Sequence, residues 1–493
     1  MLKRIIMKRS DVVGLMSNPF YVLVLLLFLF TAIAINPYNS YDEGLWTYIG
    51  WLYNDQGIPP YLGAVENKTP GIFFLYAIAD NFGDYSTFFV RSIGVLFTLA
   101  TTFFIYLIGK ELSDKNSGII AMCIFGLVVC WRVLDGFAFA QTETFMIFFS
   151  TLAFYLVVRF FGKESNLKLL FFAGVSLGMA ISFKQIAVTS AMGLLLVLLF
   201  LFKDFRSYLK HTIVVGFGIL IAIFFCYFIL FFSGVTLYEY IDGAWAILFN
   251  SGSRIGGVQS QLSNFFKMFF LSRMVIFLPI IALFIFNRKA ISRLTYIILV
   301  VWFLFDFIGA NASGYYYGHQ IKQLLPALAL VAGILLSNLF LNQKSFKNIF
   351  FPVFVFIGLL FFPLRQLKTN FGKLISPRTQ DVINTDYAID LITKNSSPND
   401  FIYVFGADKE AVFTLANVNR RSSSKYLHSI FITSTKEQVQ VYSDLKRNIP
   451  TFIVKHQEFS NINGVYGNET ATFFKMNYKL EERFGELEVF KKM

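Results

Sequence analysis

Long apolar runs separated by short polar, mostly basic segments recur from residue 20 to about residue 360. Eleven of them, centred near residues 28, 98, 124, 152, 176, 194, 221, 279, 301, 331 and 355, read as membrane spans. A helix rises 1.5 Å per residue, so roughly 20 apolar residues cross the ~30 Å hydrocarbon layer. The run near 176 is the weakest, because Gly174, Gly178 and Ser182 dilute it and Lys184 closes it. After Pro363 no further spanning run occurs, and Asp, Glu, Lys, Asn and Ser become frequent. There DFIYVFG (400–406) and PTFIVKH (450–456) have the β-branched and aromatic content of buried strands, and ELEVFKK reads as a last strand. KEAVFTLANV and TKEQVQVYSDLKRN have helical spacing. The pattern predicts a polytopic α-helical membrane domain over 1–362, with an outer juxtamembrane loop at 37–87, followed by a soluble extracytoplasmic α/β domain over 363–493.

Composition supports the membrane reading. Apolar residues make up 56% of the 493 and charged residues only 15%, where about 25% charged is usual. Single cores stop growing at about 250–300 residues, so this apolar excess excludes a soluble monomer. The net charge of +13 does not indicate nucleic acid, since the basic residues sit in short loops rather than on one solvated face. Those loops set the orientation. With a cytoplasmic N-terminus, one side receives seventeen Lys and Arg and the other at most eight. An odd span number then places the C-terminus outside a plasma (inner) membrane. The opening MLKRIIMKRSDVVGLMSNPF lacks a cleavage signal and reads as leading into a retained first span. Cys123, Cys130 and Cys226 lie in apolar runs without metal-ligand spacing.

The first outer loop is neither short nor simply polar. Leu45 to Tyr53 is rich in Trp and Tyr and is stopped by Gly57, Pro59 and Pro60, which predicts an interfacial helix on the outer surface. Asp42 and Glu43 precede it at the end of the first span, and Glu66 and Lys68 follow it, just before Thr69, Pro70 and Gly71. Glu143, Lys184, Arg91, Arg254, His319 and Lys322 fall on the same predicted face. Taken singly, such carboxylates are also expected as solvated span boundaries, and the cations as side chains snorkelling to the interface. As a set they suit an anionic lipid headgroup and an acceptor hydroxyl: cations hold phosphate and a carboxylate accepts a proton.

DEGLWTYIGWLYNDQGIPPY followed by ENKTPG resembles the lipid-linked-sugar glycosyltransferases of the membrane GT-C fold. The likeness is to the branch of protein O-mannosyltransferases and aminoarabinose transferases (glycosyltransferase family 39). Asp42 and Glu43 match the family's acidic pair, and Glu66, Lys68 and Pro70 match its acidic-x-Lys-Pro stretch, with Thr69 interposed. Arg91, Glu143 in the place of a usual Asp, Lys184 ending GVSLGMAISFK, and His319 in GHQIKQLLPALAL extend the match. The resemblance implies a polyprenyl-phosphate sugar donor and a lipid, glycan or protein acceptor, among membrane lipids and without nucleic acid. It assigns Asp42, Glu43 and Glu143 to catalysis, with Asp42 as base and inversion at the sugar carbon. Lys68, Arg91 and Lys184 would bind donor phosphate, and Glu66 and His319 would assist the acceptor or a metal. No His lies between His211 and His319 to match the metal-holding His of the aminoarabinose branch. Metal identity is therefore open; if a divalent cation is used, oxygen ligands would suit magnesium. A transporter or lipid flippase is the rival expectation, since many spans with intramembrane charge would serve it equally.

Overall fold

The computed structural model describes the chain apart from residues 1–17, 36–40, 84–85, 136–138, 247–257, 287, 313, 315, 341–349, 376–379 and 407–413. Among the described residues, five helices are long and apolar enough to cross a membrane: Ser86–Leu112, Thr142–Gly162, Phe205–Phe232, Arg293–Asn311 and Gly318–Asn338. The pair Leu262–Leu271 and Met274–Phe286, bent by 78°, makes a sixth if it is one span. Pro19–Ala34, Lys115–Val128, Leu167–Phe183 and Ala187–Leu201 are apolar but only 14 to 17 residues long, shorter than an untilted crossing needs. Every one of the eleven expected centres lies in a helix, the last in Phe350–Ile375. That helix runs through Pro363, so the boundary expected at 363 falls inside it.

The chain divides into two compact units, the first formed by residues 1–35, 91–224 and 256–371, the second by 36–90, 225–255 and 372–493. In the first, Lys115–Val128 packs on Leu325–Phe340, Thr142–Arg159 on Leu167–Phe183, and Ala187–Leu201 on Arg293–Asn311. Local sequence sets the ends. Asp114 accepts from Ser117 N–H at 2.8 Å and caps its helix, and Asn18 caps the first helix with Pro19 behind it. Small residues set the spacing of Leu167–Phe183 against Phe205–Phe232. A Cβ on Gly174 would lie 2.1 Å from the Val215 carbonyl oxygen, and one on Gly218 2.3 Å from that of Phe171. Backbones in lipid pack through such positions because no hydrophobic drive pulls helices together there.

The second unit joins residues 36–90 to the tail. Its Tyr41–Asn54 helix forms where one was expected, but its aromatic side chains do not face outward as an interfacial helix requires. Trp46 and Tyr48 are fully buried and Trp51 nearly so. Trp46 packs edge-on against Tyr76 at 5.7 Å, and the Tyr48 hydroxyl accepts the Ser422 N–H at 2.7 Å. The helix is thus a core element of its unit. Gly50 lets Gly71–Asp80 come close, because a Cβ there would sit 2.7 Å from the Tyr76 carbonyl carbon.

The tail carries a five-stranded sheet in the order β2-β1-β3-β5-β4, from β1 (Phe401–Phe405), β2 (Arg421–Ser422), β3 (Pro450–His456), β4 (Tyr478–Phe484) and β5 (Leu487–Lys492). The expected strands are β1, β3 and β5. β1 pairs in parallel with β2 and β3, and the two central strands β1 and β3 are apolar runs, whereas β4 and β5 form an antiparallel hairpin. Thr435–Arg447, the second expected helix, connects β2 to β3 and opens on a Ser434–Glu437 capping box. The other expected helix, KEAVFTLANV, lies largely outside the described residues. β4 is a charged, exposed edge, a composition that discourages further strand pairing.

Candidate active site

In the second unit, Asp42 and Glu43 occupy the first turn of Tyr41–Asn54 rather than the end of the preceding span. Carboxylates are favoured there by the helix dipole. Glu43 is buried and Asp42 half-buried. Glu66 is buried too, and its Oε1 accepts the Lys68 ammonium at 2.9 Å and the Asn67 N–H at 3.0 Å. The Lys68 ammonium also donates to Asn67 Oδ1 at 2.8 Å and stands 6.0 Å from the Trp46 ring. Burial raises the Glu66 carboxyl above its ordinary range; Lys68 opposes this, and the charge of Asp42 adds to it. The two acids are therefore electrostatically coupled.

The backbone around this pair is held in an unusual conformation. Tyr61, a non-glycine residue with φ of 72°, gives its hydroxyl hydrogen to the Lys68 carbonyl at 2.8 Å. Left-handed backbone in an aromatic residue costs on the order of 1–3 kcal/mol and persists only where surrounding structure enforces it. The tail completes the setting. Val65 N–H donates to the Lys425 carbonyl at 2.8 Å, and the His428 ring lies edge-on to Tyr41 at 4.9 Å. Burial and then the Lys68 charge push His428 down to about 4, so the ring is neutral near pH 7.

In the first unit, Glu143 and Thr142 begin the Thr142–Arg159 helix, and Glu143 is 2% exposed. Lys184, which caps the C-terminus of Leu167–Phe183 in extended conformation, is hydrogen-bonded and ion-paired to it. Thr142 Oγ1 donates to its other oxygen at 3.0 Å. The His319 ring stands between two carboxylates, with Nε2 3.6 Å from Glu143 Oε1 and Nδ1 2.9 Å from Asp135 Oδ2. Asp135 itself has φ of 51° at the end of a 3-10 turn, and its carbonyl accepts the buried Lys322 ammonium at 2.8 Å. Burial alone would raise the Asp135 carboxyl, but the hydrogen bonds from His319 and the charges of Lys322 and His319 hold it below its usual range. Arg91 is buried near the start of Ser86–Leu112; Arg254 lies outside the described residues.

The structure therefore gathers Asp42, Glu66 and Lys68 in one unit, and Glu143, Lys184, His319 and Lys322 in the other. Neither simple alternative describes the buried members. Glu43, Glu66 and Glu143 are not solvated boundaries, and Lys184 and Lys322 bond to oxygens of the protein instead of snorkelling. Three residues escaped sequence reasoning. Asp135 begins an Asp-Gly pair in the loop before Thr142–Arg159, and His428 lies in the tail. Asp306, buried in Arg293–Asn311, accepts from Ser190 Oγ at 2.5 Å, Trp302 Nε1 at 2.8 Å and Gln323 Nε2 at 3.1 Å. An acidic residue inside the apolar run WFLFDFIGA was the available signal for it. Among the described residues, no three of His, Cys, Asp and Glu come together as metal ligands, and the carboxylates of Glu66 and Glu143 already hold lysines. The described groups do not fit a metal, and no step below uses one.

Residues 67–231 match the family described as dolichyl-phosphate-mannose-protein mannosyltransferase. That stretch contains Lys68, Arg91, Glu143 and Lys184. The fold is similar over nearly the whole chain to ArnT from Cupriavidus metallidurans, solved with undecaprenyl phosphate: TM-score 0.63, 11% identity, 98% of each chain covered. The chain is a glycosyltransferase of the GT-C fold. The glycosyltransferase is also similar to the oligosaccharyltransferase AglB from Archaeoglobus fulgidus, solved with an inhibitory peptide and a dolichol-phosphate, with TM-score 0.56, 12% identity, and coverage of 95% of this chain and 74% of that one. No curated protein matches its sequence.

Proposed function

We propose that this glycosyltransferase moves a sugar from a polyprenyl-phosphate donor to a hydroxyl of a lipid, glycan or protein acceptor at the extracytoplasmic face, with inversion. The observation that carries the reading is the ion pair of buried Glu66 with half-buried Lys68, with the charge of Asp42 beside it, where the matched stretch begins. In ArnT the same fold holds undecaprenyl phosphate, and in AglB it holds a dolichol-phosphate, which favours a lipid-phosphate donor here.

The acceptor oxygen attacks the anomeric carbon as the bond from that carbon to the phosphate oxygen breaks, and polyprenyl phosphate leaves with the bonding pair. Asp42 takes the acceptor's proton. Lys68 holds the phosphate and stabilises the charge that accumulates on it, and Glu66 and Asn67 fix the ammonium in place. Glu43 orients the acceptor. The family resemblance further assigns Arg91 and Lys184 to the donor and Glu143 and His319 to the acceptor; these four belong to the first unit, where Lys184 pairs with Glu143.

The direct test incubates purified protein with a synthetic polyprenyl-phosphate sugar and measures release of polyprenyl phosphate. Mass spectrometry of envelope glycolipids and glycoproteins from cells with and without the gene then identifies the product. Movement of intact donor across vesicles without sugar transfer would instead establish the flippase. Lys68→Ala should weaken donor binding as well as turnover, because it removes a charge-assisted contact present in the ground state and stronger in the transition state. Loss of turnover with donor binding untouched would remove Lys68 from the phosphate.

The orientation has its own check. In a background where Cys123, Cys130 and Cys226 are replaced, a cysteine at exposed Ser397 should be labelled by an impermeant thiol reagent in spheroplasts, and one at exposed Ser113 should not. The opposite pattern reverses the topology.

A further inference from the structure

The second unit carries a half-open cavity of about 380 Å³ that the mechanism does not use. Sites for small ligands occupy about 300–1,000 Å³. One wall comes from the Tyr41–Asn54 helix and the turn after it, with Tyr48, Leu52, Ile58 and Leu62. The other comes from the tail and is polar, with Arg421, Lys425, Gln440, Arg447 and Asn448. Asp444, buried in this wall, accepts from Arg447 at 2.9 Å, Gln440 at 2.8 Å and the Ser424 hydroxyl at 2.8 Å. Its charge is matched by Arg447, and Glu239 lies close enough to feel the Lys425 charge, so Arg421 is the surplus cation at the cavity, with Lys425 beside it. The Arg421 guanidinium is fixed 4.9 Å over the Phe401 ring. Ser423, also lining the cavity, has a buried hydroxyl with no hydrogen-bond partner.

We propose that this cavity binds an anionic saccharide unit, a sugar carrying a carboxylate or phosphate, as part of the acceptor. The role as acceptor rests on the transferase reading above; the binding does not. A pyranose has an apolar face of C–H groups and a rim of hydroxyls, which match the Tyr48–Leu52–Leu62 wall and the amides of Gln440 and Asn448. The anionic substituent matches Arg421 and Lys425. An acidic peptide fits less well, since peptides commonly add to a strand edge through backbone bonds. Here the nearby sheet edge is β2, and two donors at its end are in use: Ser422 N–H goes to Tyr48, and the following Ser423 N–H to the Ile402 carbonyl at 3.0 Å. The cavity is tied to the proposed reaction site through Lys425, whose carbonyl holds the N–H of Val65, the residue before Glu66.

The test is calorimetric titration of the purified full chain with four probes: a uronic-acid disaccharide, a phosphorylated disaccharide, a neutral disaccharide of equal size, and an acidic tetrapeptide. At least one acidic saccharide should bind about tenfold or more tightly than the neutral one, with affinity falling as salt rises. Arg421→Gln with Lys425→Gln, which remove both charges but keep polar side chains, should remove that preference while the melting temperature stays within the range of the parent. Equal binding of acidic and neutral saccharides, an unchanged preference in the double variant, or equal binding of the peptide would overturn the proposal. Polyprenyl-phosphate release is followed in the same preparations. Turnover without selective saccharide binding sinks the cavity's role alone, whereas selective binding without turnover from any polyprenyl-phosphate sugar sinks the transferase reading alone.

Discussion

Asp42→Asn should lower turnover by about 100-fold to 10,000-fold and leave donor binding nearly unchanged, because Asn keeps the shape but accepts no proton. The structure sharpens the comparison this variant needs. Glu66 is buried beside it, and burial together with the charge of Asp42 raises its carboxyl, so Glu66 is the other acid with an affinity for the proton. It is, however, occupied by the Lys68 ammonium and the Asn67 N–H. Asp42, half-buried and in the first helical turn, is the more accessible of the two. Measured on purified protein, near-normal turnover in Asp42→Asn with a dead Glu66→Gln moves the base to Glu66. A dead Glu143→Gln with active forms of both moves it to the other unit. Activity in all three would end the mechanism drawn here.

How much of this was legible beforehand follows from which physical signal each feature carries. Helices in lipid satisfy their own backbone and must be apolar, so all eleven centres could be read from hydrophobicity alone. Their lengths could not, since packing within the protein, as at Gly174 and Gly218, relieves helices such as Leu167–Phe183 of the need to be uniformly apolar or full length. The strands β1 and β3 were legible as parallel-sheet runs, whereas β4, a charged edge, carries no hydrophobic pattern to read. Aromatic content placed the Tyr41–Asn54 helix but misdirected its face, because Trp and Tyr suit a headgroup boundary and a crowded protein core equally. Site residues between 42 and 68 stood out by local motif. Asp135, Asp306 and His428 did not, because their partners are 17 to more than 100 residues away: Asp135 to His319, Asp306 to Ser190 and Gln323, His428 to Tyr41.

Lys184→Ala should destabilise the protein by about 3–5 kcal/mol, because it leaves the carboxylate of Glu143 buried without its main counter-charge. The side chains are 12% and 3% exposed, so water is a poor substitute. His319 does not rescue the site, since its Nε2 is 3.6 Å from Glu143 and its Nδ1 is engaged with Asp135. Thr142 contributes one neutral hydroxyl at 3.0 Å, weaker than an ammonium. Replacing both charges, Lys184→Met with Glu143→Gln, removes the uncompensated ion and should recover most of the loss. This separates two roles for the pair, measured by thermal unfolding in detergent and by turnover at a temperature where every variant is folded. If the pair only joins Thr142–Arg159 to Leu167–Phe183, the double variant regains both stability and activity. If Glu143 orients the acceptor or Lys184 draws in the donor phosphate, as proposed, the double variant regains stability and stays inactive.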